Sequence, residues 1–189
     1  MSLLAPGRNL VLAGLMGTGK STVGRTLAVR LDRRFVDTDA EVEAAAGSTV
    51  AEVFTTLGER RFRALEAERI RHVAALRGQV IAVGGGALLD PANVTHLRAT
   101  GDLVLLDADP VVLAARIDVE DGGASRPLLA GGDAAAVLSE LRERREEVYA
   151  AAASHAVDTT GRTPDEVAAE VLALARLVPG LLTREERRL

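Results

Sequence analysis

The sequence predicts an α/β protein, a parallel sheet covered by helices on both faces. Two observations point there: five short apolar runs alternate with amphipathic helical stretches, and the first run passes straight into a glycine-rich turn and a helix. The 189 residues, 48% of them hydrophobic, are also enough to bury one sizeable core without disulfides or structural metal.

In order, the first strand is read at residues 9–13 and the helix after it at 21–31. Further strands fall at 34–36, 79–83, 102–106 and 155–157. Between the second and third lie helical segments at about 40–46 and 49–76, punctuated by Gly47 and Gly58. That is more helix than a crossover requires, and helices inserted at the carboxyl ends of strands commonly build a substrate site. The glycine- and acid-rich stretch 118–127 suits a mobile lid, and a helix at 134–152 follows it. A last helix at 163–177 has Thr163 as N-cap and Pro164 in its first turn. After Pro179-Gly180 the charge-rich tail is expected to fray. The expected organisation is one domain over 1–178, with an insertion at about 37–76, a lid at about 117–130 and a tail at 179–189.

The absence of cysteine excludes a disulfide scaffold, a zinc knuckle and a thiol nucleophile, and fits a cytoplasmic protein. A net charge of −4 argues against nucleic acid as partner, and no apolar run approaches the length of a membrane span. No unusually large apolar helix face demands a second copy, so a monomer is expected.

Gly14 to Ser21 reads GLMGTGKS and fits the phosphate-binding loop G-x-x-x-x-G-K-[ST], placed between strand and helix as its mechanism needs. The glycines turn backbone N–H groups toward phosphate oxygens, the helix start adds its positive end, Lys20 bridges the β and γ phosphates and Ser21 ligates Mg²⁺. Gly17, Thr18, Gly19 and Thr22 complete the expected ATP contacts. Lys20 is the only lysine among 23 basic residues, and a compact ammonium suits this loop where a guanidinium fork would not.

The second strand ends in Asp37-Thr38-Asp39, read as two carboxylates pointing the same way from an extended chain. Such a pair is more often a cap or turn, but at the end of the second strand it lies beside the phosphate loop, where one carboxylate can organise Mg²⁺ and the other receive an acceptor hydroxyl. Arg63 and Glu66 share a helix face, so Glu66 can orient Arg63. Gly84-Gly85-Gly86 after the third strand lets backbone approach a small ligand. Arg126 and Arg145 flank the lid, and arginines there suit a substrate carboxylate and a transferring phosphoryl group. Each cluster has an ordinary alternative, a surface ion pair, a turn, or one charge in the solvated run 142–147.

Taken in succession, GLMGTGKSTVGRTLA, FVDTD, GERRFRALE, VGGGA, SRPLL and RREEVY closely resemble shikimate kinase from about residue 9 to 175. The resemblance implies a three-layer nucleoside-monophosphate-kinase-like fold, a five-stranded parallel sheet with a helical substrate-binding insertion and a closing lid. It implies ATP-dependent phosphorylation of the 3-hydroxyl of shikimate, with Mg²⁺, toward chorismate and the aromatic amino acids. By motif, Asp37 would be the Mg²⁺ partner, Asp39 the base that binds shikimate hydroxyls, Arg63 and Arg145 the carboxylate grip, Gly84 to Gly86 the border of shikimate, and Arg126 the lid arginine. Arg116 and Arg162 fall where such enzymes hold adenine. The lid is longer and more acidic than the family pattern. A gluconate-type kinase and a nucleotide-dependent switch that transfers nothing are the competing readings.

Overall fold

Side-chain alternation in the first strand decides the layers. In β1 (Asn9–Ala13), Leu10 and Leu12 point to one face and Val11 and Ala13 to the other, and all four are buried. A strand buried on both sides needs helices on both faces. The computed structural model describes residues 7–121 and 133–188, with side chains to residue 117 in the first span. It holds a five-stranded parallel sheet of β1, β2 (Arg34–Asp37), β3 (Gln79–Ala82), β4 (Gly101–Asp107) and β5 (His155–Asp158), in the order β2-β3-β1-β4-β5.

Helices α1 (Lys20–Leu31) and α7 (Pro164–Leu177) cover the Leu10 face, where Val23, Leu27, Val171 and Leu172 meet Leu12 and Val104. Helices α3 (Val50–Ala74), α4 (Pro91–Thr100), α5 (Pro110–Asp121) and α6 (Ala134–Ala152) cover the other, where Ile70, Leu97, Leu113 and Leu138 meet Val11 and Ile81. The insertion, α2 (Thr38–Ala46) with the first half of α3, has a small core of Val42, Val53 and Phe62. Gly58, at φ 78°, breaks α3 in the middle, which a residue with a Cβ would resist.

On the α1 face the fit is tight. A Cβ at Gly24 would lie 2.4 Å from Cε2 of Phe35. Gly24→Ala is therefore expected to cost about 1–3 kcal/mol by overpacking, read as a lower denaturant midpoint.

Two expectations are corrected. Asp37 and Asp39 do not share an extended strand: the strand ends at Asp37, whose side chain caps α2 by accepting from the Asp39 N–H at 3.1 Å. The cap leaves both residues lining the same crevice, so the two readings of the pair are compatible. The tail does not fray either. Leu181 and Leu182 are buried against α1 and α7, the Arg8 N–H donates to the Gly180 carbonyl, and the Arg33 side chain, 3% exposed, pairs with Glu186 at 2.6 Å and donates to the carbonyls of Arg8 and Leu181. Glu186 is matched by a buried guanidinium that sequence spacing does not reveal.

Burial pushes the Glu186 carboxyl up, but bonds from Arg33 and from Thr183 outweigh it and hold the group below its ordinary range. The stability this contributes is present above the ordinary carboxylate range and lost as pH falls through the depressed value. Glu186→Gln is accordingly expected to lose about 3–5 kcal/mol at neutral pH, with the gap to wild type closing in acid, measured by urea unfolding across pH.

Candidate active site

The strand order places a crevice beyond the carboxyl end of β1, because the connection from β1 leaves toward β2 while that from β3 returns past β1 to β4. The phosphate loop lines it. Gly14, Gly17 and Gly19 all have positive φ, and a Cβ at Gly14 would lie 2.1 Å from the Leu106 carbonyl oxygen, so the loop requires glycine there. The Leu15 carbonyl accepts from the Thr18 hydroxyl at 2.8 Å and from the Lys20 ammonium at 2.7 Å, which sets the loop's shape. No side chain caps the start of α1, leaving its leading N–H groups directed at the crevice, the usual anion site of a helix N-terminus.

Opposite the loop, the Ser21 hydroxyl donates to Oδ2 of Asp37 at 2.7 Å. Two residues on, Oδ1 of Asp39 is buried without a hydrogen-bond partner, and so is Oε1 of Glu66. Both oxygens crowd Gly84, where a Cβ would lie 2.6 Å from the first and 2.7 Å from the second. Burial pushes the Asp39 carboxyl up, with further repulsion from Asp37 and partial relief from Lys20. Burial likewise raises Glu66, against the pull of Arg63 and with the push of Asp39. The site thus holds two buried acceptors suited to donors from a ligand.

Two guanidinium groups face them. Arg63 pairs with Glu66 at 2.7 Å and more loosely with Glu59 at 3.3 Å, and lies over the Phe62 ring at 5.2 Å. Arg145 is 6% exposed although the residues on either side of it in α6 are exposed, and it donates to the Gly85 carbonyl at 2.7 Å. The glycine triplet fits between them: the Gly84 N–H donates to the Thr38 hydroxyl at 3.0 Å, and a Cβ at Gly86 would lie 2.5 Å from Arg63. The resulting cavity is about 470 Å³, the size of a small-molecule site.

Of the residues expected from sequence, Gly17, Gly19, Lys20, Ser21 and Thr22 line this cavity on one side. Asp37, Asp39, Arg63, Arg145 and Gly84 to Gly86 line it on the other. Thr18 is sealed beneath the loop. Arg116 stands behind the loop, donating to the Gly17 carbonyl at 3.3 Å and to the Thr159 carbonyl at 2.6 Å. Arg162 is held at the start of α7 by Glu170 and by the Asp158 carbonyl, away from the cavity wall. Arg126 and most of the expected lid lie outside the described residues.

The shikimate kinase family model matches residues 16–176. The chain belongs to the shikimate kinase family. A shikimate kinase of Geobacter sulfurreducens is 43% identical over 176 residues, covering 93% of this chain and 95% of the relative. One from Symbiobacterium thermophilum is 48% identical over 164 residues, covering 87% and 94%. Among solved structures, the shikimate kinase from Acinetobacter baumannii in complex with shikimate superposes with a TM-score of 0.83 at 32% identity, over 88% of this chain and 92% of that one.

In this member of the shikimate kinase family, four contributors to the site escape a reading of sequence alone. Thr38 anchors Gly84, Glu43 accepts from the Val50 N–H to hold the start of α3, Phe54 stacks on Phe62 at 4.5 Å, and the Tyr149 hydroxyl donates to the Gly85 carbonyl. Only Tyr149 had a readable signal, its spacing four residues beyond Arg145 on one helix face.

Proposed function

We propose that the protein transfers the γ-phosphoryl group of ATP to the 3-hydroxyl of shikimate, giving shikimate 3-phosphate for chorismate and aromatic amino-acid synthesis. One observation carries the choice of acceptor: the unpartnered oxygens of Asp39 and Glu66 sit between Arg63 and Arg145, beside a phosphate loop. Carboxylate acceptors ask for hydroxyl donors and guanidinium groups for an anion, so the cavity suits a small polyhydroxy acid.

Each residue then has a task. Lys20 and the N-terminus of α1 hold the β and γ phosphates, with Gly17, Thr18, Gly19 and Thr22 shaping the loop. Arg63 and Arg145 grip the carboxylate, and Gly84 to Gly86 let the ring lie flat against backbone. Asp39 orients the acceptor hydroxyl and takes its proton as the bond to phosphorus forms. Arg126 would reach the γ phosphate from the lid, with Arg116 and Arg162 on the adenine side. Ser21 and Asp37 offer only oxygen donors, few in number, which fits Mg²⁺ shared with phosphates rather than a protein cage. Bound there, Mg²⁺ would neutralise phosphate charge. The reading takes the enzyme to be a cytoplasmic monomer with no nucleic-acid or membrane partner.

A coupled ADP-release assay with shikimate, gluconate and nucleoside monophosphates tests this. Release is expected to depend on shikimate. Preference for another acceptor would replace the substrate, and ATP binding without release for any acceptor would leave a switch.

A further inference from the structure

Two donors meet at one oxygen on the cavity floor. The Gly85 carbonyl accepts from Arg145 at 2.7 Å and from the hydroxyl of Tyr149, the chain's single tyrosine. A carbonyl oxygen has two lone pairs, so the pair of donors saturates it. Arg145 and Tyr149 are one turn apart on α6, both buried, while residues 142–144 and 146–148 are exposed. The Tyr149 ring is packed into the core with Leu88 and Leu138, so its hydroxyl is a fixed point. Arg145 differs from Arg63 in that, among the described residues, no carboxylate pairs with it. Its place is set by a neutral carbonyl rather than by an ion pair, although it lies near enough to Glu66 to pull that carboxyl's pKa down.

We infer that Tyr149 is a positioning residue for Arg145: by occupying one lone pair of the Gly85 carbonyl, its hydroxyl confines the guanidinium to the other and aims it at the substrate carboxylate. The inference rests on the shikimate reading of the cavity. Burial raises the phenol above its ordinary range, with partial relief from the neighbouring Arg145, so it remains a donor at neutral pH. Tyr149 is not among the residues that line the cavity, so its effect must pass through Arg145.

That dependence separates positioning from packing. Tyr149→Phe keeps the ring in the core and removes only the hydroxyl. Shikimate KM and kcat are measured for wild type, Tyr149→Phe, Arg145→Lys and the double variant, with thermal unfolding of each. Tyr149→Phe is expected to raise shikimate KM about five- to tenfold, with kcat and ATP KM changed less than about twofold. With Lys at 145, the same change is expected to shift shikimate KM by less than about twofold, the signature of coupled residues. Equal effects in both backgrounds, an unchanged KM, or loss of cooperative unfolding in Tyr149→Phe would assign the hydroxyl to the core and overturn the inference. A wild-type enzyme inert toward shikimate would overturn the functional reading itself, a result distinct from an active wild type matched by Tyr149→Phe.

Discussion

Asp39→Asn is expected to lower turnover by about two to four orders of magnitude while leaving ATP affinity near wild type. The amide keeps the shape of the carboxylate but cannot accept the proton of the acceptor hydroxyl, and the bonds of Thr18 and Lys20 to the Leu15 carbonyl that shape the phosphate loop do not involve it. The same change should stabilise the empty protein. Asp39 is raised by burial and by Asp37, so its folded pKa lies above the ordinary 3.8. The stability of a group shifted this way is fully present below its unfolded pKa and lost as pH rises through the folded one. At neutral pH the Asp39 carboxyl is therefore a burden on the fold that asparagine removes. Steady-state kinetics and Tm from pH 4 to 8 check both halves: low turnover with a higher Tm whose margin narrows in acid. Near-normal turnover would remove Asp39 from the proton-accepting role.

Removing either guanidinium should cost about 2–4 kcal/mol of shikimate affinity, the scale for leaving a buried charged partner unpaired. The two variants should part company in stability. Arg63→Ala also leaves Glu66, 2% exposed, without its 2.7 Å partner, and so should lower Tm as well as affinity. Arg145→Ala strands only a carbonyl that keeps its bond from Tyr149, and its loss should fall mainly on binding. Titration calorimetry with shikimate and thermal unfolding of both proteins measure the contrast. Unchanged affinity in either would take that arginine out of the carboxylate grip.

Local chemistry was readable from sequence wherever it depends on near neighbours. The five strands, the phosphate loop and the Thr163 cap of α7 follow from patterns within a few residues, as does the Arg63–Glu66 pair across one helical turn. What escaped depends on residues brought together across the fold. Thr38 meets Gly84 only because β2 and β3 pair side by side, and Tyr149 meets Gly85 because α6 packs against the turn at residues 87–89 that follows β3. The cap at Asp37 shows a subtler limit. The sequence offered a choice between cap and site, and the fold places the capping carboxylate in the cavity wall, bonded to Ser21.

The docking of the tail bears on the order of events in folding. Arg33 and Glu186 are 153 residues apart, and Arg8, just before the first strand, waits for the Gly180 carbonyl. Contacts of such long separation slow folding, because the loop they close must be ordered before they repay it. During synthesis, the amino end of β1 emerges first yet finds its last partners only when residues 180–186 leave the ribosome. The base of the sheet thus depends on the far end of the chain, whereas the residues that line the crevice at its other end all precede residue 146.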